Sequence, residues 1–370
     1  MTDLQAPREI RKITPPNLHA DHLGDKITCY RPMRHGSPNM SVEQIGDKVV
    51  AHNYGHGGSG WTLAPGAAAY VNKLLLQSSD AHNLERDTPI AIVGAGILGL
   101  FTAYDFLQRG YSAITISAEG FDALASNNAG GLLAIFVMDN ASETQALINK
   151  IALESCAFYV SVINGQKPEL ADGAMRVPVY IESKENSELE LYVKAGMMQA
   201  AKHVVLDFDN GTTRKMVVYD DGIFIDVTKI TADLTNYLKA KKVVFNKRKL
   251  NSFSEIKDKY IINCSGLGAE QLHGDNQMES VQGHMVALKN QSADMLHYLV
   301  SVDLSKGETE NGQLVDRLFY MMPKRFPNGA QNDVGVIGGT FIPGATPATP
   351  NEKEFDLLIN RAREFYGCPQ

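Results

Sequence analysis

The chain has 370 residues, 44% of them hydrophobic and 21% charged, a balance typical of a globular protein with room for two domains. Its formal net charge of −7 argues against bulk binding to nucleic acid or to an anionic membrane. The four cysteines, Cys29, Cys156, Cys264 and Cys368, form no CxxC pair, which argues against a zinc site and a disulfide framework. The first residues lack the apolar segment of a signal peptide and no transmembrane segment is predicted, so we expect a cytoplasmic protein.

The first part of the chain combines short strands with a glycine-rich loop. The glycines within HNYGHGGSGWT, residues 52–62, predict a loop rather than a helix at that place. Pro65 and Gly66 then predict the start of a helix that continues to residue 77, because proline is tolerated in a first turn. Short strands are expected at 27–31 and 48–51, and a polar linker at 78–88.

Residues 90–119 carry the clearest functional pattern. An apolar strand at 90–93 leads into a GxGxxG run at 94–99, a helical pattern follows, and a second strand at 113–117 precedes Glu119. In a dinucleotide-binding unit the first glycine allows a tight turn and the second lets backbone N–H groups approach a pyrophosphate. The third lets the helix pack closely, and the acid accepts hydrogen bonds from a ribose. The pattern predicts a dinucleotide site, and the alternative at this point is a glycine-rich turn of another α/β protein.

The rest of the chain alternates helical and strand patterns. Because ligands of parallel sheets bind beyond the carboxyl ends of strands, residues 264–266, after a strand at 260–264, should lie near the cofactor. A second polar and glycine-rich loop, ASNNAGGL, is expected at 125–132. Helices are predicted at 143–163, 188–200, 226–239 and 352–366, and strands at 242–245, 250–256, 281–288 and, as a hairpin pair, 318–322 and 334–341.

Together these segments resemble the D-amino acid oxidase family of FAD enzymes. The matching sequences are IAIVGAGILGLFTA, ASNNAGGLL, KRKLNSFSEI, YIINCSGLGA, FYMMP, VGVIGGTF, CYRPMR and VVAHNYGHGGSGWTL. The resemblance implies an α/β fold with a Rossmann-type FAD-binding domain at 45–133 and 225–275. It implies a mixed-sheet, α+β substrate domain at 1–44, 134–224 and 276–370. In the family the CYRPMR and HNYGHGG segments come after the GxGxxG run and the substrate domain. Here they precede the GxGxxG run at 94–99, so the chain resembles a circular permutant.

The resemblance also implies roles for individual residues. Arg31 would bind a substrate carboxylate with two hydrogen bonds, Tyr320 would hydrogen-bond the substrate, and the Gly58 carbonyl would accept from its amino group. The Thr62 hydroxyl and the positive end of the helix opening at Gly66 would stabilise the pyrimidine end of the flavin. The residues implied to bind FAD, without a covalent link, are Gly57, Ser59, Gly60, Trp61, Thr62, Gly94, Gly96, Ile97, Leu98, Gly99, Glu119, Ser126, Gly130, Gly131, Leu132, Leu250, Cys264, Ser265 and Gly266.

Four positions depart from the family pattern and leave the substrate open. Asp316 stands where the family usually has a second tyrosine. Ala134 and Phe136 replace polar and aromatic residues after the flavin loop, and Ser59 occupies a position that varies within the family.

The resemblance implies an enzyme that oxidises the C–N bond of an amino acid by hydride transfer to flavin N5, giving an imino acid that hydrolyses to a keto acid. One alternative is an oxidase or dehydrogenase that acts on glycine or on a secondary amine, and another is a flavin-binding protein without turnover. A nicotinamide dehydrogenase is a further alternative, but it would explain only the GxGxxG run and not the HNYGHGGSGWT and INCSGLGA segments. His52 and His56 lie in a glycine-rich loop rather than on a helix, so no metal site is predicted. The expected partners are a small amino acid or amine and oxygen or another electron acceptor, without nucleic acid or membrane, and a homodimer is left open.

Overall fold

The computed structural model of the chain describes residues 9–82, 84–121, 124–135, 142–183, 188–292, 296–325 and 333–368. The chain forms two compact units, which we call the six-stranded unit and the nine-stranded unit after their sheets. The six-stranded unit comprises Arg31–Ala174 and Ile225–Val281, and the nine-stranded unit comprises Met1–Tyr30, Met175–Phe224 and Gln282–Gln370.

Strands and helices alternate along much of the chain, but the helix predicted at 188–200 covers only Glu190–Lys194, and the strand Leu299–Glu308 was not predicted. The strands are β1 Glu9–Lys12, β2 Leu23–Arg34, β3 Val42–Ile45, β4 Lys48–His52, β5 Ile90–Val93, β6 Ile114–Ala118, β7 Ala174–Ile181, β8 Lys202–Asp207, β9 Thr213–Ile225, β10 Val244–Lys247, β11 Tyr260–Asn263, β12 Met278–Lys289, β13 Leu299–Glu308, β14 Leu314–Pro323 and β15 Asp333–Pro343. The helices are α1 Gly60–Gln77, α2 Ile97–Gln108, α3 Ser142–Ile163, α4 Glu190–Lys194, α5 Val227–Ala240, α6 Ala269–His273 and α7 Lys353–Tyr366.

The six-stranded sheet has the order β10-β6-β5-β11-β4-β3. All neighbours pair in parallel except β3, which runs antiparallel to β4 at the edge. Ile261 of β11 pairs with Ala91 of β5 on one side and with Val50 of β4 on the other. Every residue of β4, β5 and β11 is buried, which explains the apolar runs at 49–51, 90–93 and 260–262.

Helix α1 begins at Gly60, so the prediction that it opens only at Pro65 and Gly66 is wrong. Pro65 lies inside the helix and has no N–H to donate to the carbonyl of Trp61. The Tyr159 hydroxyl donates to that carbonyl instead, over 2.7 Å. A side chain from α3 therefore supplies the hydrogen bond that the proline removes, and the helix extends through it.

Helix α3 belongs to the six-stranded unit and packs along α1. Ile151, Cys156 and Tyr159 are buried, and the Ser155 hydroxyl accepts a hydrogen bond from the Gly66 N–H at 2.9 Å. Within the described ranges α3 is the one helix that, by length and composition alone, is suited to crossing a membrane, a property that buried core helices share. Its packing on α1 accounts for the apolar residues that are buried, such as Ile151 and Cys156.

The six-stranded unit is larger than the predicted FAD-binding domain. It includes residues 31–44 because β3 pairs with β4, and residues 134–174 because α3 packs on α1. It also extends past residue 275 to residue 281. The boundaries of the six-stranded unit depend on contacts between segments that are far apart in the sequence.

The predicted strand at 250–256 is wrong. Phe253–Glu255 form a 3-10 turn, and Ser252 and Glu255 exchange side-chain to backbone hydrogen bonds in a capping box. Such local bonds satisfy the backbone groups that a strand would offer to a neighbour.

The nine-stranded sheet has the order β1-β8-β9-β7-β13-β14-β15-β12-β2. Strands β14 and β15 pair antiparallel, with Met321 opposite Ile337, which confirms the predicted hairpin pair. Helix α7 buries Phe355, Phe365 and Tyr366 in the core that these strands share. The amphipathic pattern at the end of the chain therefore serves to cover this sheet.

Residues near both ends of the described chain contact the same turn, between β8 and β9. The Lys12 ammonium lies 2.9 Å from an Asp209 carboxylate oxygen, and the Asn210 amide donates to the Tyr366 carbonyl at 2.8 Å. A short connection is therefore sufficient to join these two regions, which is what a circular permutation requires.

We predict that a chain rearranged to begin at Pro89, with residue 370 joined to residue 1 by a flexible linker, folds like the chain described here. Its free energy of unfolding should change by less than about 2 kcal/mol, because closing a short loop changes the chain entropy little. Denaturant unfolding followed by the fluorescence of Trp61 measures this. A rearranged chain that fails to fold with two different linker lengths would contradict the interpretation of this chain as a circular permutant.

Candidate functional site

Three parallel strands of the six-stranded unit, β5, β11 and β4, end side by side. The Cys264 N–H donates to the Val93 carbonyl at 2.7 Å, and the Asn53 N–H donates to the Asn263 carbonyl at 2.9 Å. The Ser265 N–H turns back onto the side-chain oxygen of Asn263 at 3.2 Å. Since ligands of such sheets bind beyond the carboxyl ends of the strands, these three loops form one edge of a candidate binding crevice.

The glycines after β5 are required by close backbone contacts. Gly94 has a φ of +108°, and a side chain there would collide with the carbonyl of Cys264. A side chain at Gly99 would collide with the carbonyl of Gly94, so α2 packs directly on the loop. Backbone packing within the protein therefore explains why Gly94 and Gly99 are glycines, whether or not a ligand is bound.

Gly96 differs, because the space beside it is open. The nearest heavy atom to a Cβ placed there is the Ser126 hydroxyl oxygen, at 3.8 Å. Gly96 is the N-cap of α2, so the N–H groups of Ile97, Leu98 and Gly99 have no acceptor within the helix. Together with the helix dipole they form a site that suits a pyrophosphate.

The second glycine-rich loop is attached to its neighbours by two hydrogen bonds. The Trp61 indole N–H donates to the Ser126 carbonyl at 2.8 Å, and the Gly131 carbonyl accepts from the Ile225 N–H at 2.7 Å. Gly131 has a φ of +110°, a conformation that favours glycine. The two residues that flank Gly131, also predicted to face the flavin, are the half-buried Gly130 and Leu132.

The glycine-rich loop at 57–62 leads directly into α1. Gly57–Ser59 form a 3-10 turn in which Gly58 is exposed and Ser59 is buried. No heavy atom lies within 4 Å of a Cβ placed on Gly60, the first residue of α1. The positive end of α1 thus lies at Gly60, closer to the predicted flavin residues than a helix opening at Gly66 would place it.

The Thr62 hydroxyl is engaged with the protein. It is buried and donates to the Ala134 carbonyl at 2.7 Å, so its one hydrogen is used. The backbone N–H groups of the first turn of α1, rather than this hydroxyl, are the donors that remain for a bound carbonyl. Phe136, the other departure after this loop, lies outside the described residues.

Glu119 and Leu250 lie on neighbouring segments. The Arg248 N–H donates to the Ala118 carbonyl at 2.8 Å, which brings the residues after β10 beside the residues after β6. The Glu119 side chain is 72% exposed, with the Lys249 ammonium 3.4 Å from its carboxylate. Leu250 is half-buried against the apolar core of the unit. An exposed acid beside an apolar side chain is compatible with the predicted adenosine site.

The residues at the end of β2, Arg31–Arg34, run along these loops. Met33 forms an antiparallel bridge with His56, and a side chain on Gly57 would collide with Met33. A Cβ on Gly266 would lie 3.6 Å from the Pro32 ring. The segment that carries the predicted substrate arginine therefore contacts both the glycine-rich loop and the loop after β11.

Tyr320 belongs to β14 of the nine-stranded unit and is 8% exposed. It lies opposite Gly338, and a side chain on Gly338 or Gly339 would overlap its ring. Asp316, four residues earlier, is 60% exposed and 3.9 Å from the Lys306 ammonium. Where the family usually has a second tyrosine, this chain therefore has an exposed acid, Asp316, beside a lysine.

Two titratable side chains at the strand ends are held neutral by burial. Burial raises the pKa of the Cys264 thiol to about 12, so this cysteine is not a nucleophile. Burial lowers the pKa of His56 to about 3. Within the described residues neither ring nitrogen of His56 has a hydrogen-bond partner.

The structure also forms a cluster that the sequence analysis missed, in which His52 meets Glu43 and His273. A single Glu43 oxygen lies 2.9 Å from His52 Nε2 and 2.8 Å from His273 Nε2. The spacing along the chain gives no signal for this cluster, because its members come from β3, β4 and α6. Such side chains are also of the kind that bind metal ions.

The residues at the strand ends fit the FAD that the resemblance implies. The open space at Gly96 and at Gly60 lies at two helix N-termini that offer backbone N–H donors. Glycine at both places lets a bound molecule approach the backbone. The unpartnered nitrogens of buried His56, next to Gly57, add polar groups that the protein itself does not satisfy.

Comparison with known proteins gives consistent matches. A family model described as FAD dependent oxidoreductase (DAO) matches residues 89–370. The chain is similar to a D-amino-acid oxidase of Dictyostelium discoideum, with 23% identity over 74% of this chain and 71% of the relative. It is similar to a D-amino-acid oxidase of Streptomyces coelicolor, with 25% identity over 75% of this chain and 77% of the relative. The solved structure of glycine oxidase from Bacillus cereus matches with a TM-score of 0.50 and 15% identity, over 75% of this chain and 77% of that one, a likeness of fold alone.

We predict that Gly96→Ala weakens FAD binding while leaving the FAD-free fold intact. The new methyl group meets only the Ser126 hydroxyl oxygen, at an ordinary contact distance of 3.8 Å, but fills the space beside the helix N-terminus. FAD should therefore bind about 5- to 150-fold more weakly, as overpacking by about 1–3 kcal/mol implies. Flavin retention on ultrafiltration and denaturant unfolding measure the two effects.

Two other glycines provide controls for this prediction. Gly99→Ala should disrupt folding, because its methyl group would collide with the Gly94 carbonyl. Gly120→Ala, which meets no atom within 4 Å, should change neither quantity. Unchanged flavin retention in Gly96→Ala would place the pyrophosphate elsewhere.

Proposed function

The chain belongs to the FAD dependent oxidoreductase family, and we propose that within it the chain oxidises the C–N bond of a small amino acid, with D-amino acids as the first candidates. Membership confirms FAD as the cofactor and an oxidoreductase as the class of protein, and the structural neighbours confirm the α/β fold class. The names of the two relatives support a D-amino acid as substrate.

The proposed site holds FAD mainly through backbone groups. The N–H groups at the start of α2 bind the pyrophosphate, Glu119 accepts from the ribose, and the first turn of α1 stabilises the pyrimidine end of the flavin. When bound, FAD would supply the two-electron acceptor for oxidation of the substrate C–N bond to an imine, which water would hydrolyse. Positioning rather than proton transfer by a side chain is the protein's contribution when the amine binds neutral.

The contact of Arg31–Arg34 with the glycine-rich loop is the observation that carries the proposal. Pro32 and Met33 pack against Gly266 and Gly57, so the backbone that bears Arg31 is fixed to the loops assigned to FAD. A guanidinium can bind a carboxylate with two parallel hydrogen bonds, and we propose that Arg31, carried on this backbone, does so.

Tyr320 and Gly58 are the two other residues that we propose for the substrate, and each is described within its own unit. The Tyr320 ring rests on glycine backbone, which fixes its direction, and its hydroxyl is proposed to hydrogen-bond the substrate. Gly58 is exposed, and its carbonyl is proposed to accept a hydrogen bond from the amino group of the substrate.

The visible spectrum of the purified protein tests this function. We expect a bound flavin whose absorption is bleached when a D-amino acid is added without oxygen. A flavin that no amino acid bleaches, in a panel of both enantiomers, would contradict the proposed substrate class. Re-oxidation by air afterwards would distinguish an oxidase from a dehydrogenase.

A secondary-amine or glycine substrate is the second candidate, and the observation that favours it is Asp316. An exposed acid there, in place of a tyrosine, removes an aromatic group from the pattern that the D-amino acid oxidases share. Glycine and N-methyl amino acids belong in the same panel. Bleaching by these compounds and by no D-amino acid with a side chain would favour this candidate over the first.

We predict that Arg31→Lys raises KM for carboxylate substrates about 10- to 150-fold, because one charged hydrogen bond of the bidentate pair is lost. The flavin content should stay normal. Steady-state kinetics measure KM, and an amine substrate without a carboxylate should be affected much less. Arg176→Lys, at a partly exposed ion pair with Asp221, is the matched control. An unchanged KM would remove Arg31 from the substrate site.

A further inference from the structure

A continuous chain of hydrogen-bonded polar side chains lies beside the strand ends of the six-stranded unit. It connects β2 with the loop after β11. Its members, in order of contact, are Arg34, Asp275, Tyr54, His273, Glu43, His52 and Asn263.

The direction of the hydrogen bonds around Tyr54 is fixed by the carboxylate of Asp275. The Tyr54 hydroxyl lies 2.7 Å from Asp275, and hydrogen bonds from Tyr54 and from Arg34 help to hold the pKa of Asp275 below its usual range despite its burial. A carboxylate only accepts, so Tyr54 gives its one hydrogen to Asp275. His273 Nδ1, 2.9 Å from the same hydroxyl oxygen, must then donate to it.

Glu43 fixes the second nitrogen of His273. Its carboxylate oxygen lies 2.8 Å from His273 Nε2, and it also only accepts. Both nitrogens of His273 therefore donate, which requires the imidazolium form. The positive charge of His273 then lies against Glu43, as that of Arg34 lies against Asp275.

His52 takes the opposite role as a neutral ring. Its Nδ1 faces the Asn263 amide nitrogen at 3.2 Å, so Nδ1 accepts and Nε2 carries the hydrogen that is donated to Glu43. The Asn263 amide is oriented by Ser265, whose N–H and hydroxyl both donate to the amide oxygen. Burial, helped by the nearby His273, lowers the pKa of His52 to about 4, which agrees with a neutral ring.

A divalent metal between Glu43, His52 and His273 fits this arrangement less well. A metal on His52 Nε2 would move its hydrogen to Nδ1, where it would face the hydrogens of the Asn263 amide. Turning that amide over would place its NH₂ group against the Ser265 N–H. The hydrogen bonds that surround the cluster thus favour a proton over a metal.

The cluster is attached to both loops that the proposed function assigns to FAD. His52 and Asn53 lead into the glycine-rich loop, and the Asn53 N–H donates to the Asn263 carbonyl. Asn263 also holds Ser265, next to Gly266. We propose, building on the FAD site above, that Glu43 and protonated His273 are positioning residues that hold His52 and these two loops in register for FAD.

The proposal implies that FAD binds more weakly as the pH rises. In the described residues the titratable or charged groups that line the cluster are Glu43, His52, Tyr54, Asp275 and, behind Asp275, Arg34. A neutral His273 ring has one hydrogen and could donate either to Glu43 or to Tyr54, but not to both. One hydrogen bond of the chain is then lost, and the loops lose part of their support.

The experiment measures the FAD dissociation constant of the holoprotein by ultrafiltration between about pH 6 and about pH 9. We expect about tenfold weaker binding at the upper end, the equivalent of one hydrogen bond to a charged group. His273→Gln and Glu43→Gln should each remove this pH dependence. His203→Gln, an exposed histidine of the nine-stranded unit, is the control and should keep it.

Nitrogen NMR of histidine-labelled protein provides a readout that is independent of FAD. Two protonated nitrogens on His273 at about pH 6 are expected, whereas a neutral ring would overturn the proposal. The proposal would also be overturned if the FAD dissociation constant depended on pH in the same way in His273→Gln and in the unmodified chain. One equivalent of zinc bound to the unmodified chain and absent from His273→Gln would overturn it as well. Absence of FAD at every pH would instead contradict the proposed function on which the inference rests.

Discussion

The close contact between the backbone after β5 and the backbone after β11 is the constraint on which the candidate site depends. The Cys264 N–H donates to the Val93 carbonyl, and the space beside Gly94 is filled by the Cys264 carbonyl. Only glycine fits there, and the turn that it permits directs the N-terminus of α2 to the same edge of the sheet. The loop after β4 joins them through Asn53 and Asn263, so one crevice collects backbone donors from three strand ends.

The elements that could be predicted from the sequence are those whose cause is local. The strands β5 and β11 are short buried runs, and the glycine spacing after β5 reports contacts within the next few residues. Helix α5 begins where Asp226 caps the Lys229 N–H. The start of α1 could not be predicted, because the hydrogen bond that carries the helix past Pro65 comes from Tyr159, far along the chain.

The same reason explains what was missed in the site. The cluster of Glu43, His52 and His273 forms because β3 pairs with β4 and α6 follows β11. The spacing of these three residues along the chain therefore does not predict it. The Thr62 hydroxyl was assigned to the flavin from resemblance, whereas its bond to Ala134 depends on the fold of the second loop. Sequence patterns identify donors well, but the acceptor that each donor finds is a property of the folded chain.

A loop with many glycines would by itself be too flexible to orient a cofactor, and its neighbours supply the missing rigidity. Met33 fills the space beside Gly57, and a Cβ on Gly55 would lie 2.6 Å from the Cβ of Arg34, so the end of β2 packs closely against both glycines. The strand that stiffens the loop is also the strand that carries Arg31. Movement of the loop therefore moves the backbone of Arg31 with it, and ordering of one by a bound molecule reduces the entropy that the other must lose on binding.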